Sequence, residues 1–249
     1  MDPYAELVDE AVAASFTGWD FRWLAGRAHN AQPSWSYPDL ARAALAEATR
    51  VLDIDTGGGE LLASFAPLPE ATIATEGYPP NVPLARDRLA PYGVEVREHD
   101  FGTALPVEDA EVDLVLNRHG RFDPAELARV LRPGGLLVTQ QVGSRNDVEI
   151  NEALNAPLVE QPGSYDCVGA ERALVEQGFE ILEAAEEWPE FVIRDIGALV
   201  FQLRAVPWQV PGFDLDKYGP ALRALDERIR SEGPFVAHDH RYLLRARRR

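Results

Sequence analysis

Between Val51 and Glu60 the chain reads Val-Leu-Asp-Ile-Asp-Thr-Gly-Gly-Gly-Glu, and this run constrains the fold more than any other. Val51, Leu52 and Ile54 predict a short buried strand with Asp53 near its end, and Gly57, Gly58 and Gly59 predict a tight turn into an apolar helical stretch, Leu61 to Phe65. Strand, glycine turn and helix make the first half of a nucleotide-binding βαβ unit. Glycine lets the backbone approach a ligand where a Cβ would collide, and the N–H groups freed at a helix start face the same spot. The spacing is not that of a nicotinamide dinucleotide site, because the third glycine slot counted from Gly57 holds Leu62.

The downstream chain keeps the same rhythm. Ala71 to Glu76 predicts a second strand ending in a carboxylate, and Glu76 stands at the distance from the turn where an acid accepts hydrogen bonds from ribose hydroxyls. Asn81 to Leu89 carries Val82, Leu84, Ala85 and Leu89 at helical spacing. Val94 to Asp100 alternates like a strand and is followed by Phe101. Val112 to Asn117 is an apolar run leading to Arg118 and His119. Asp123 and Pro124 then predict a helix start, with aspartate as N-cap and proline at the first helical position. Arg132-Pro-Gly-Gly135 is expected to stop that helix before a fifth strand, Leu136 to Val142.

Asp53-x-Asp55-x-Gly57-x-Gly59, the strand-end acids Glu76 and Asp100, and Leu131-Arg-Pro-Gly-Gly-Leu136 together resemble class I S-adenosylmethionine-dependent methyltransferases over residues 50–143. The signature departs at one place, where Asp55 replaces the first glycine. Asn117-Arg-His, Gln140-Gln-Val-Gly and Val206 to Gly212 are similar to stretches in a group of bacterial methyltransferase-like proteins. The resemblance implies an α/β fold: a Rossmann-like, seven-stranded, mostly parallel sheet flanked by helices, with the last strand antiparallel. It implies cofactor contacts from Asp53, Asp55, Gly57, Gly59, Glu76, Gly77, Asp100, Phe101 and Asn117. Among these, Glu76 takes the ribose and Asp100 the adenine amino group, while Phe101 packs on the ring. Asp55 either pairs with the cofactor's ammonium or repels its carboxylate.

At 249 residues the chain is expected to be one methyltransferase-like domain, with a cofactor-binding core over 51–188. Residues 1–50 read as a helical extension, with helices at about Tyr4–Ser15 and Pro38–Thr49. The loop between them, Trp19 to Tyr37, places Trp35 and Tyr37 either as a flap over the cofactor or as ordinary packing on the sheet edge. Val168 to Gln177 reads as a helix and Phe179 to Glu187 as the sixth strand. Ile196, Leu199, Val200 and Leu203 follow helical spacing, as does Tyr218 to Arg230, so 189–238 is expected to be a helical insertion between strands six and seven. Phe191, Trp208 and Phe213 there would wall a substrate pocket or a dimer interface. Residues 239–249 supply the last strand, about His240 to Arg247, and a basic tail.

A net charge of −17 opposes a phosphate backbone, so no nucleic acid is expected and a neutral or cationic small molecule is favoured as substrate. No apolar run is long enough to span a membrane, and the acidic start lacks the pattern of a signal peptide. The lone Cys167 suits a reducing cytoplasm and reads as structural. No His/Cys/Asp spacing suggests a metal site. Methyl transfer is an in-line displacement, so positioning can supply much of the catalysis, and a base is needed only for an acceptor that must lose a proton. His119 is the candidate base, or else it simply bonds its own loop; His29 and Asp147 stand behind it. Trp35, Tyr37, His119 and Trp208 are the candidate substrate residues. The expected function is transfer of a methyl group from S-adenosylmethionine to a small molecule. The alternative is a catalytically inactive methyltransferase-like protein that binds a metabolite or partner.

Overall fold

Alternating apolar residues and polar helix starts set the elements. The structure, a computed structural model, describes residues 2–16, 20–158 and 166–249. In chain order they are α1 (Pro3–Ala13), β1 (Ala28–Asn30), α2 (Tyr37–Leu45), β2 (Arg50–Ile54), α3 (Glu60–Ala63), β3 (Ala71–Glu76), α4 (Asn81–Leu89) and β4 (Glu95–Glu98). Then follow β5 (Val112–Arg118), α5 (Pro124–Val130), β6 (Leu131–Val142), α6 (Val148–Leu154), α7 (Cys167–Glu176) and β7 (Phe179–Glu187). The chain closes with β8 (Glu190–Ile193), α8 (Ile196–Ala205), α9 (Leu215–Glu232), β9 (Phe235–His238) and β10 (Arg241–Arg248). Asp2, Ser36, Asp123, Asp166, Asp195 and Asp214 each cap a helix by accepting a backbone N–H that has no carbonyl partner of its own.

The chain divides into two compact units. The larger comprises Ser34–Gly143, Gly163–Glu186 and Arg241–Arg249, and holds a seven-stranded sheet in the order β4-β3-β2-β5-β6-β10-β7. β2 pairs in parallel with β3 and β5, β3 with β4, and β5 with β6, whereas β10 runs antiparallel to β6. Successive strand residues point to opposite faces, so two cores form. Val51, Leu114, Leu116 and Val138 pack with α2, α3 and α4 residues such as Tyr37, Leu62 and Leu89. Leu52, Val115, Leu137 and Tyr242 pack with Leu127 of α5 and Leu174 of α7.

The other unit comprises Met1–Pro33, Ser144–Pro162 and Glu187–His240. Its three-stranded antiparallel sheet, β1-β8-β9, and helices α1, α6, α8 and α9 surround a core that includes Tyr4, Leu199, Phe201 and Leu222. α1 and α8 approach closely at Gly197, where a Cβ would stand 2.6 Å from the Leu7 carbonyl oxygen.

Several expectations change here. The segment 189–238 is not purely helical, since β8 and β9 bracket α8 and α9. The loop before Tyr37 contains β1, paired with β8, while Trp19 lies outside the described residues. Phe191 is a core residue of β8, only 1% exposed, so it walls no pocket. The basic cluster is strand rather than tail: Arg245 pairs with Glu183 at 2.9 Å, and Arg248 donates to the Leu131 carbonyl. Cys167 is buried at the start of α7, and burial pushes its thiol up to about 12, as a structural cysteine requires.

β6 begins at Leu131 rather than Leu136, because Arg132-Pro-Gly-Gly135 bulges out between the Val112–Leu131 and Leu114–Leu136 pairs. Asp113 sits opposite the bulge and joins three segments. Its carboxylate accepts from the Thr49 and Arg50 backbone N–H groups and the Thr49 hydroxyl, and meets Arg132 at 3.1 Å. Removing a buried, fully bonded carboxylate leaves its donors unsatisfied, so Asp113→Ala is expected to cost about 3 kcal/mol. Urea unfolding with an unchanged m-value checks this; a loss near zero would show that the knot is not structural.

Candidate active site

The glycine turn follows β2 through three left-handed residues: Asp55 (φ 56°), Gly57 (φ 66°) and Gly59 (φ 79°). Such backbone favours glycine, and aspartate is among the side chains that tolerate it. That explains both the glycine signature and how Asp55 departs from it. Room for the Asp55 side chain comes from Gly120: a Cβ there would lie 2.6 Å from Asp55 Cβ and 2.7 Å from its Oδ2. Gly59 lets α3 approach α4, since its Cβ would meet Leu89 at 2.9 Å. α3 is a single turn of four residues, ending at Ala63 before the expected Phe65, and shorter than the helix that a βαβ unit usually carries after its glycine turn.

Glu76, at the end of β3, binds the turn itself. Its Oε2 accepts from the Gly57 N–H at 2.6 Å and its Oε1 from the Tyr78 N–H at 2.7 Å. Gly77 is required by the neighbouring strand end, because a Cβ would stand 2.5 Å from the His99 carbonyl oxygen. Arg88 of α4 braces the outside of the turn through the Gly58 carbonyl and Glu60.

Three carboxylates thus crowd one loop. Burial, reinforced by Asp55 and Glu76, pushes Asp53 up to about 7. Burial and then Glu76 push Asp55 up to about 6, and burial also raises Glu76. A site of this kind suits a ligand with positive charge on it.

At the end of β4, Asp100 is exposed and Phe101 lies under the Arg121 guanidinium, 4.3 Å from the ring centre. The crevice beside them holds about 10 Å³, room for roughly one water. His99 Nε2 donates to the Thr103 carbonyl at 3.2 Å, which leaves Nδ1 as an acceptor; Nδ1 is buried and unpartnered among the described residues. An N–H donor such as an adenine amino group would satisfy it.

Asn117 is fully buried and spent on the sheet. Its Nδ2 donates to the Ile54 carbonyl at 3.2 Å, and its Oδ1 accepts from Thr139 and Gln141. It holds β2, β5 and β6 together at the floor of the site rather than offering a side chain to a ligand. Tyr37 is 2% exposed and packs in the core, so it is no flap; the charges acting on its phenol, which burial raises first, are Asp53 and Arg118.

Trp35 starts a polar chain. Its Nε1 donates to Gln140 Oε1 at 2.8 Å, and Gln140 Nε2 lies 3.0 Å from His119 Nε2. Indole is a donor only, so the Gln140 oxygen must face Trp35 and its amino group must face His119. His119 Nε2 therefore accepts, and the ring proton sits on Nδ1. Protein crowding, then the Arg118 and Arg241 cations, hold the imidazole well below its ordinary value, although its outer edge meets solvent. Neutral, with Nε2 engaged and Nδ1 protonated, His119 is a hydrogen-bond donor. That corrects its reading as a base.

Trp35, Tyr37 and His119 fall in the larger unit; Trp208 falls in the other, exposed on the turn after α8. His29 is exposed on β1, and Asp147 is buried in a left-handed conformation before α6. Arg88, His99 and Gly120 were not singled out from the sequence, and Gln140 was read only as part of the Gln140-Gln-Val-Gly stretch. His99 and Gly120 stood beside recognised residues, Asp100 and His119.

The raised carboxyls have a consequence for stability. Asp53 and Asp55 start near 3.8 in the unfolded chain and stand at about 7 and about 6 when folded. The folded state therefore holds protons that the unfolded state releases, and these groups cost stability as pH rises from about 4 to about 7. Asp55→Asn removes one titration while keeping a residue that tolerates the left-handed backbone. Its Tm, measured by calorimetry, is expected to fall less steeply over that range than that of the wild type; parallel curves would contradict the buried carboxyl.

A family model described as a methyltransferase domain matches residues 52–139. No curated protein matches the sequence. Among solved structures, the chain is similar to a protein described as a methyltransferase from Bacillus halodurans, at 20% identity and TM-score 0.63, covering 85% of this chain and 98% of that one. It is similar to the YcgJ protein of Bacillus subtilis at 16% identity and TM-score 0.59, covering 86% and 98%. It is also similar to the [4+2]-cyclase SpnF at 17% identity and TM-score 0.54, covering 98% and 92%. The strand order and the glycine turn match the fold of these solved structures, and residues 52–139, the segment that carries the turn and β2 to β6, are similar to a methyltransferase domain.

Proposed function

We propose that this protein transfers a methyl group from S-adenosylmethionine to a small-molecule acceptor. The observation that carries the reading is the gathering of Asp53, Asp55 and Glu76 around the left-handed turn, each with its carboxyl pushed upward. The cofactor, when bound, supplies a methyl group made electrophilic by a sulfonium, and it carries an ammonium as well. Both charges suit an acidic loop. Glu76 takes the ribose hydroxyls with the lone pairs its backbone donors leave. Asp100 and His99 Nδ1 take the adenine amino group, and Phe101 supplies a ring face once Arg121 moves off it. Asp53, Asp55, Gly57, Gly59 and Gly77 line the amino acid end, while Asn117 holds the floor. Asp55 is accommodated because Gly120 leaves it space.

His119 orients the acceptor by donating from Nδ1, with Trp35 and Gln140 fixing the ring. A net charge of −17 supports a small acceptor over a nucleic acid. Among the described residues no helix is long and apolar enough to cross a membrane, and the buried Cys167 suits a reducing cytoplasm. SpnF, named as a cyclase, shows that the fold alone does not dictate the reaction.

Calorimetric titration with S-adenosylmethionine and S-adenosylhomocysteine, with NADH as control, tests the site. Micromolar binding of the two sulfur compounds is expected, weakened about tenfold or more by Glu76→Gln through loss of charged hydrogen bonds. Affinity for S-adenosylmethionine should also fall as pH drops below about 6, where Asp55 becomes protonated. Absence of binding would favour the alternative, a methyltransferase-like protein that binds something else.

A further inference from the structure

Alternation along the strands of the larger unit decides which side chains share a face. Leu114 and Leu116 of β5, Val138 of β6 and Leu243 of β10 all pack in the core that holds Tyr37, with Trp35 against it. Two residues further towards the same end of each strand come Arg118, Gln140 and Arg241. Arg118 pairs with Gln140 in register, and Gln140 with Leu243. Arg118 and Gln140 therefore stand side by side on the face of Trp35 and Tyr37. His119 joins them out of turn. Its left-handed backbone, φ 65°, breaks the alternation and brings its ring within 3.0 Å of Gln140.

What this cluster offers a ligand follows from what it has already spent. The Trp35 N–H is used on Gln140, and Gln140 is engaged at its other end by His119 Nε2. The His119 Nδ1–H has no partner among the described residues. Neither has the Arg118 guanidinium, although the chain holds 41 acidic residues against 24 basic ones and has carboxylates to spare. Protein crowding holds that guanidinium below its ordinary value, and the charges acting on it are the Tyr37 phenol and the Arg241 cation, with no carboxylate among them. Arg118 is also near enough to His119 for its charge to hold the imidazole neutral. Both side chains reach solvent. The unspent groups here are thus two neighbouring donors, one of them a permanent cation.

We propose that the methyl acceptor carries a carboxylate, which Arg118 binds with its guanidinium fork while His119 donates to it from Nδ1. An ionised carboxylate only accepts hydrogen bonds, and its two oxygens match the edge of a guanidinium with two parallel N–H···O bonds. A cationic acceptor would meet a bare like charge, and a neutral one would leave the charge on Arg118 unanswered. The local chemistry thus departs from the neutral or cationic substrate that the net charge of −17 favours. The acids gather at the glycine turn, whereas Arg118 stands two residues before Gly120, whose Cβ would lie 2.6 Å from Asp55 Cβ. One loop therefore separates carboxylates suited to the cofactor's positive charges from a cation suited to the acceptor. Arg118 binds and moves no proton. That the carboxylate belongs to the acceptor rests on the proposed methyl transfer, whereas the anion site itself does not.

The test titrates the full chain, without cofactor, with benzoate and with benzamide, which share a shape and differ in charge. Calorimetry is expected to show saturable benzoate binding, tighter than that of benzamide by about tenfold or more. Benzoate should also shift the His119 Nδ1 signal in nitrogen-resolved NMR. Arg118→Gln should weaken benzoate by about tenfold and erase its advantage over benzamide, with circular dichroism unchanged. Arg118→Lys should recover part of the loss, since it keeps the charge without the fork. Arg145→Gln, in the smaller unit, should change neither ligand. Affinity for S-adenosylhomocysteine should be the same in Arg118→Gln as in the wild type. No saturable benzoate binding, or binding indifferent to Arg118→Gln, would overturn the proposal. So would a loss of about tenfold in S-adenosylhomocysteine affinity in that variant, which would give Arg118 to the cofactor's own carboxylate. Failure with intact S-adenosylmethionine binding refutes the carboxylate site alone. Benzoate held by Arg118 in a protein that binds neither sulfur compound refutes the methyl donor, and with it the acceptor role, and leaves the anion site standing.

Discussion

One carboxylate sets the geometry of the seven-stranded unit around the glycine turn. Glu76 reaches from the end of β3 to the N–H groups of Gly57 and Tyr78, tying the turn after β2 to the chain after β3. The grip adds to the Thr56 N–H bond to the Thr75 carbonyl and the Arg88 brace, and together they fix a turn with three left-handed residues. The grip has a cost. Glu76 joins Asp53 and Asp55 in a partly buried space, and all three are harder to ionise than they would be in water. The turn is thus held by the same charge that burial penalises, and a positive charge placed beside it would favour the ionised forms.

Local chemistry in the sequence accounts for most of the core. β3 and α4 have the limits that alternation and helical spacing predict, and Asp123 with Pro124 starts α5 by capping. What escaped was non-local. β1, β8 and β9 are three or four residues long, and β1 pairs with a strand more than a hundred positions away, so no window of sequence carries their signal. α6 starts from a left-handed Asp147 with no side-chain cap bond, and lacks the usual start sign. Arg132-Pro-Gly-Gly135 reads as a stop, yet it is a bulge within a strand held opposite Asp113.

The site divides in the same way. Glu76 and the glycines were readable because spacing along one βαβ unit determines them. Gln140 and Gly120 act through partners far away in the chain, and their roles exist only once the sheet has formed, whereas His99 bonds Thr103 in its own loop and matters through the burial of its Nδ1. His119 shows the difference most clearly. A histidine after a strand reads as a base, but an amide whose orientation is set by an indole N–H turns it into a donor. Identity gave the residue, and its neighbours gave the protonation state.

Asp55 and Gly120 lie 65 positions apart, yet they share one space. A methyl group at 120 would occupy the space of the carboxylate at 55, whereas glycine at 55 would release that demand. Position 55 can therefore move towards the usual glycine signature by itself, but position 120 stays closed even then, because a Cβ there would also stand 2.7 Å from Asn117 Nδ2. The freedom runs one way: the turn can lose its carboxylate, while the glycine opposite is held by the sheet as well.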